Sequence, residues 1–173
     1  MMKKIILLSL LFSWSGLIYG QVDIKVMSYN LLTFPEAGGI DRVDTLKKIL
    51  NYYQPDLFLI QELKSEDGLT DIVAMMNNSF DTEFESGTYV PQISNPSNDW
   101  RLQQNLIFNE ARFKLETEET IVTDYRDINY YKLEILDLEG STANDPYLHV
   151  YVCLLYTSPS PRDLSTSRMP SSA

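Results

Sequence analysis

The tightest constraint on the fold is one apolar run, Asp56-Leu57-Phe58-Leu59-Ile60-Gln61, which ends against the acid Glu62. Four consecutive large apolar residues cannot alternate between core and solvent, so the segment reads as a strand buried on both faces. Such a strand needs neighbours, and the preceding sequence supplies them. Ile24-Lys25-Val26-Met27-Ser28-Tyr29 alternates and is rich in strand formers, which predicts a strand ending at Asn30. Leu31 to Gly39, with Pro35 and the Gly38-Gly39 pair, reads as loop. Asp41 is the expected N-cap of a helix on which Val43, Leu46, Leu50 and Tyr53 recur at helical spacing, until Gln54-Pro55 stops it. Strand, helix and strand of these lengths make a parallel unit. In such units the loops at the carboxyl ends of the strands converge, so functional groups gather there. Asn30 and Glu62 both fall on that edge.

Beyond it, Leu69, Ile72, Val73 and Met76 predict a second amphipathic helix. Residues 81–99 are polar and carry Gly87, Pro91 and Pro96, which suits strand fragments and loop. Gln104 to Phe108 reads as a strand, and Phe113 to Thr123, Tyr130 to Leu138 and Tyr147 to Val152 as further, antiparallel ones. No internal repeat or linker divides this stretch. Two β-layers with helices outside are the economical way to cover so many half-buried strands.

The two ends read differently. Lys3 and Lys4 precede an apolar run from Ile5 to Phe12 broken only by Ser9, and Gly16 and Gly20 supply small residues near a cut between Gly20 and Gln21. Residues 1–20 are therefore expected to be a secretory signal rather than a membrane anchor, because the continuous run is short for a span. The expected location is secreted, periplasmic or at the surface of a bacterial cell, with no stable membrane insertion after cleavage. From Cys153 the chain holds six Ser and three Pro in 21 residues, with no Ile, Val or Phe. Its text, Cys153-Leu154-Leu155-Tyr156-Thr157-Ser158-Pro159-Ser160-Pro161-Arg162-Asp163 and then Ser167-Arg168-Met169-Pro170-Ser171-Ser172, resembles the in-frame translation of a sequencing-library adapter. Residues 153–173 are accordingly expected to be a non-native tail on a natural gene that continues past Val152.

The remaining stretch, Gln21 to Val152, carries 10 Lys and Arg against 23 Asp and Glu, net −13. Affinity for nucleic acid from a basic surface is excluded, although a bound metal cation lets an acidic protein hold phosphate. The single Cys and single His exclude a disulfide framework, a Cys-rich zinc site and any mechanism needing two histidines from this chain.

Glu62, following an apolar strand, is either a solvated strand-end acid or a carboxylate held for a hard divalent cation. Asn30 is either a turn former or its companion. Arg101, in Asp99-Trp100-Arg101, is placed to meet a phosphate or to form an exposed ion pair. His149 lies inside a strand and reads as a sheet-face residue. Tyr52-Tyr53 and Tyr130-Tyr131 read as packing, and Glu116, Glu118 and Glu119 as a solvated hairpin face.

Val26-Met27-Ser28-Tyr29-Asn30-Leu31, a helix, and Pro55-Asp56-Leu57-Phe58-Leu59-Ile60-Gln61-Glu62 together resemble the endonuclease/exonuclease/phosphatase superfamily, the group of deoxyribonuclease-I-like nucleases and related phosphoesterases. Leu102-Gln103-Gln104-Asn105-Leu106-Ile107-Phe108 is similar to the strand that follows in secreted bacterial members. The resemblance spans residues 24–152, about the first half of such a domain. It implies a four-layer α/β sandwich with helices outside two central sheets, truncated in this chain. It implies hydrolysis of a phosphodiester, nucleic acid among the candidate substrates, by a water activated on Mg²⁺ or Mn²⁺. Glu62 matches the family's metal-binding acid and Asn30 its companion in metal binding and catalysis, while Arg101 and Asn105 are candidates for substrate contact. A monomer is expected for the full-length protein. The family's later motifs are absent: where a His-Leu-Lys-like strand end is due, the chain reads Cys153-Leu154-Leu155. The 173-residue chain is therefore expected to lack hydrolase activity and to fold poorly alone. The competing expectation is an exported, non-catalytic binding module on the same fold, or a lipid or small-molecule phosphoesterase.

Overall fold

The parallel unit forms as expected. β1 (Val26–Phe34) and β2 (Leu57–Leu63) run side by side, Val26 opposite Leu57 and Asn30 opposite Gln61, with α1 (Arg42–Tyr53) between them in the chain. The computed structural model describes residues 23–36, 42–94, 102–124, 126–136 and 146–154. α2 (Glu66–Asn77) follows β2 and leads to the short β3 (Phe84–Ser86). β4 (Gln103–Asn109) lies antiparallel between β2 and β3, giving the sheet order β1-β2-β4-β3. A second sheet is an antiparallel meander of β5 (Phe113–Ile121), β6 (Ile128–Ile135) and β7 (Tyr147–Val152).

Alternation along β2 explains its unbroken apolar run. Phe58 and Ile60 point to one face, where they meet Leu46 and Leu50 of α1 and Leu69, Ile72 and Met76 of α2. Leu57 points to the other, where Leu106 and Phe108 of β4 face Phe113, Tyr131, Leu133 and Val152 of the second sheet. Each fully buried Leu or Phe contributes about 1.5–3 kcal/mol, so the first sheet is held from both sides. The described residues thus form a helix layer, a mixed sheet and an antiparallel sheet, three layers of the expected α/β sandwich. Ser65 caps α2, its Oγ accepting from the Gly68 amide at 3.1 Å, with Glu66 and Asp67 in the positive first turn. A Cβ on Gly68 would lie 3.0 Å from Pro35 Cδ and 3.2 Å from the Phe34 ring, so the start of α2 meets the end of β1 where only glycine fits easily.

Three local expectations are corrected. β1 continues through Leu31–Phe34, expected as loop, because Leu31 and Phe34 each bury to 2 % exposure against the helices. β2 runs on to Leu63, so Glu62 lies within the strand rather than after it. Tyr53, placed on the apolar stripe of α1, is 59 % exposed. It touches Tyr52 edge to face, since Leu46 and Leu50 already fill the contact. Residues 1–20, Asp41, Arg101 and residues 155–173 lie outside the described residues. Among the described residues no helix is long and apolar enough to cross a membrane.

Candidate functional site

The carboxyl edge of β1 and β2 departs from regular strand geometry. On β2, Ile60 pairs with Asn105 and Leu63 with Gln103, three residues against two, so one extra residue bulges out beside Glu62. Glu62 takes φ 58°, and across the parallel ladder Leu32 and Thr33 take φ 47° and 58° in the register break between Asn30 and Phe34. Left-handed backbone costs a non-glycine residue roughly 1–2 kcal/mol, and such strain clusters at functional sites.

The bulge brings the two expected residues together. Asn30 Nδ2 donates to Glu62 Oε1 at 2.9 Å, and Asn30 Oδ1 accepts from the Leu32 amide at 2.8 Å. Glu62 is only 5 % exposed. A carboxylate at that depth is tolerated because hydrogen bonds or a cation stabilise its charge. Arg42 holds the irregular turn, its guanidinium donating to the Leu31 carbonyl and lying 5.5 Å over the Phe34 ring. On the other side Lys64 pairs with Glu36, and the Tyr89 hydroxyl donates to the Lys64 carbonyl at 3.0 Å. Burial first, and then the nearby Glu66 carboxylate, push the Tyr89 phenol above its usual value, so it remains a donor. A groove of about 150 Å³ between the end of β1 and α1 is lined by Tyr29, Leu31, Phe34, Arg42, Thr45 and Leu46, not by Asn30 or Glu62.

The donor set suits a hard cation. Glu62 offers carboxylate oxygen, and Mg²⁺ is commonly bound through one or two carboxylates while keeping several waters. Among the described residues no group of three or more His, Cys, Asp or Glu converges, at this edge or elsewhere, so Glu62 is the single carboxylate here. Asn30 directs its N–H to the carboxylate and its carbonyl to the backbone, so in this arrangement it orients Glu62.

The other candidates sit apart from this pair or in different roles. Asn105 is 1 % exposed, and its amide donates to the Gly87 and Thr88 carbonyls at 3.0 and 3.2 Å, pinning the strand-to-loop crossing. His149 lies on the outward face of β7, Nδ1 2.8 Å from the Tyr130 hydroxyl, as a sheet-face histidine. Glu118 is not merely solvated: it accepts from the Thr88 amide at 2.8 Å and from the Thr88 hydroxyl, tying a loop to the second sheet.

Two buried polar residues escape a reading of the sequence. Asp127, 1 % exposed, accepts from the Ile93 and Ser94 amides at 2.5 and 3.1 Å. Its backbone carbonyl takes the Gln104 side chain. It knits the sheets together, and no local pattern marks it. Gln103, 2 % exposed, has its Nε2 buried with no hydrogen-bond partner among the described residues. The only hint of it is the Gln103-Gln104-Asn105 triplet opening an otherwise apolar strand.

No protein-family model and no curated protein matches the chain. Solved structures do match it. The human Nocturnin catalytic domain with bound sulfate is 20 % identical at TM-score 0.57, covering 78 % of this chain and 51 % of that one. ANGEL2, a 2′,3′-cyclic phosphatase in complex with adenosine-2′,3′-vanadate, is 13 % identical at TM-score 0.58, covering 80 % and 46 %. An endonuclease/exonuclease/phosphatase family protein from Leptotrichia buccalis is 13 % identical at TM-score 0.56, covering 87 % and 63 %. The chain thus spans about half the length of the structures it resembles, and the likeness is one of fold.

Proposed function

We propose, from a chain that carries the endonuclease/exonuclease/phosphatase fold, that it is the amino-terminal part of an exported, divalent-metal-dependent phosphoester hydrolase. The observation that carries the reading is the hydrogen bond from Asn30 to the buried Glu62 at the carboxyl edge of two parallel strands. Glu62 would hold Mg²⁺ or Mn²⁺, which supplies positive charge for the phosphoryl oxygens and lowers the pKa of a bound water. Asn30 fixes the carboxylate's direction, and the strained turn that Arg42 clamps keeps Asn30 in place. Phosphodiesters are the favoured substrates, nucleic acid among them. Vanadate bound with adenosine in ANGEL2 and sulfate in Nocturnin support an anion site on this fold. The acidic chain supports a site in which the cation, rather than a basic surface, attracts the substrate.

Calorimetry with MgCl₂ and MnCl₂ on the complete gene product tests the reading. The expected result is a saturable uptake lost in Glu62→Gln, and no uptake by the unaltered protein would overturn it. For the complete gene product, cleavage of plasmid DNA or a chromogenic phosphodiester is expected to stop with chelator, while the 173-residue chain is expected to be inactive. Sequencing the amino terminus of the exported protein is expected to begin at Gln21.

A further inference from the structure

Strict alternation along β2 would put Glu62 on the wrong face. Phe58 and Ile60 turn toward the helices, whereas Leu57 and Leu59 turn toward the second sheet. Gln61 follows Leu59, and its amide donates to Ser28 Oγ at 3.0 Å on that same side, which Asn30 shares by alternation along β1. A regular strand would send Glu62 after Ile60 to the helix side, away from Asn30. One extra residue reverses that. Gln61 and Glu62 together oppose the single residue Gln104, Glu62 takes φ 58°, and its carboxylate comes within 2.9 Å of Asn30 Nδ2. The Asn30–Glu62 pair therefore depends on the bulge. Left-handed backbone is unfavourable for a residue with a Cβ, so the surrounding structure must hold it.

The residue facing the bulge is anchored from the second sheet. Gln104 is buried, two residues before Leu106 on the face that Leu106 turns to that sheet. Its side-chain amide donates to the Asp127 carbonyl, and its own backbone carbonyl accepts from Asn129 Nδ2 at 2.7 Å. Both partners are themselves fixed: the Asp127 carboxylate accepts from the Ile93 and Ser94 amides, and Asn129 Nδ2 also donates to the Tyr131 hydroxyl at 3.2 Å. A bulge interrupts the ladder between its two strands, so β2 holds β4 least at this residue, and here the second sheet supplies two bonds. We infer that Gln104 is a positioning residue for Glu62. By tying the backbone opposite the bulge to the second sheet, it keeps β2 from slipping into regular register, a slip that would turn the carboxylate to the other face. The inference rests on the phosphoesterase reading and adds to it a residue that touches neither cation nor substrate.

The test is calorimetry with MgCl₂ on the complete gene product, read beside its melting temperature. Gln104→Met keeps the length of the side chain and removes its amide. It is expected to weaken magnesium binding about fivefold, less than loss of a ligand's direct partner does, because Gln104 acts through the backbone. Leu106→Val lies on the same strand and face but opposite Leu59, where the ladder is regular. It is expected to lower the melting temperature and to hold magnesium as the unaltered protein does. A purely structural glutamine would behave like Leu106→Val, melting lower with magnesium affinity unchanged, and that would overturn the inference. An equal loss of affinity in Leu106→Val would overturn it too, since any loosening of this core would then weaken the site. If Gln104→Met does not fold, Asn129→Ser, which withdraws the donor from the Gln104 carbonyl, decides by the same criterion. Magnesium uptake by the unaltered protein with an unchanged affinity in the variant overturns this inference and leaves the hydrolase reading standing. Absence of uptake by the unaltered protein overturns both.

Discussion

The carboxyl edge of β1 and β2 and the antiparallel sheet β5–β7 are both built from strand formers interleaved with acids, yet they handle their polar groups in opposite ways. In the second sheet the acids Glu116, Glu119 and Glu134 stay at the surface, and Lys114 pairs with Glu116 at 2.5 Å. At the edge, Glu62 is buried and three residues carry left-handed backbone. Such departures cost stability, and the well-packed faces of β2 offset them. The contrast teaches where this molecule trades stability for a site.

Substitutions can break or sharpen that contrast. The largest effects should be shared, because both regions lean on common cores. Phe58→Ala beneath the helices and Phe113→Ala between the sheets are each expected to cost about 3–5 kcal/mol in urea unfolding. A much smaller loss for Phe113→Ala would mean that the second sheet is only loosely attached. Next come effects confined to the edge. Asn30→Ala should weaken magnesium binding by roughly 10-fold or more, as removal of a ligand's orienting partner does, whereas Glu118→Gln on the second sheet should leave calorimetric affinity unchanged.

Relief of strain should run the other way. Leu32 is 64 % exposed at φ 47°, so Leu32→Asn loses little burial and suits the conformation. It is expected to raise stability by up to about 1 kcal/mol, read as a higher melting temperature. The smallest effect lies on the surface. The hydrogen bond from Lys114, with its charge, holds the Glu116 carboxyl below the usual carboxylate range. A depressed carboxyl stabilises the fold above its unfolded pKa, and that contribution disappears as pH falls through the lowered folded value. Because the pair lies at the surface, Lys114→Met should scarcely move the melting temperature at neutral pH, and 1 M salt should erase any difference.

Much of this was legible before any coordinates. The unbroken run of β2 announced a strand covered on both faces, Gln54-Pro55 marked the end of α1, and the spacing of Asn30 and Glu62 put both on one edge. The bulge was not legible, because it depends on Asn105 and Gln103 arriving from some 40 residues away to pair with β2. Nor were the loop-tying roles of buried Asp127 and exposed Glu118, whose partners Ile93, Ser94 and Thr88 belong to a loop without periodicity. Tyr53 misled because a helical stripe shows which residues share a side, not how far along the helix the core extends.

By itself, then, the sequence determined where most strands and helices fall, which faces are apolar, and that an amide and an acid lie toward the carboxyl ends of adjacent parallel strands. These are local matters of period and residue type, written within a few residues of one another. Only the tertiary structure decided that Asn30 would donate to Glu62 and that Glu62 would be buried on left-handed backbone. Those outcomes depend on register between distant strands and on the solvent that packing excludes.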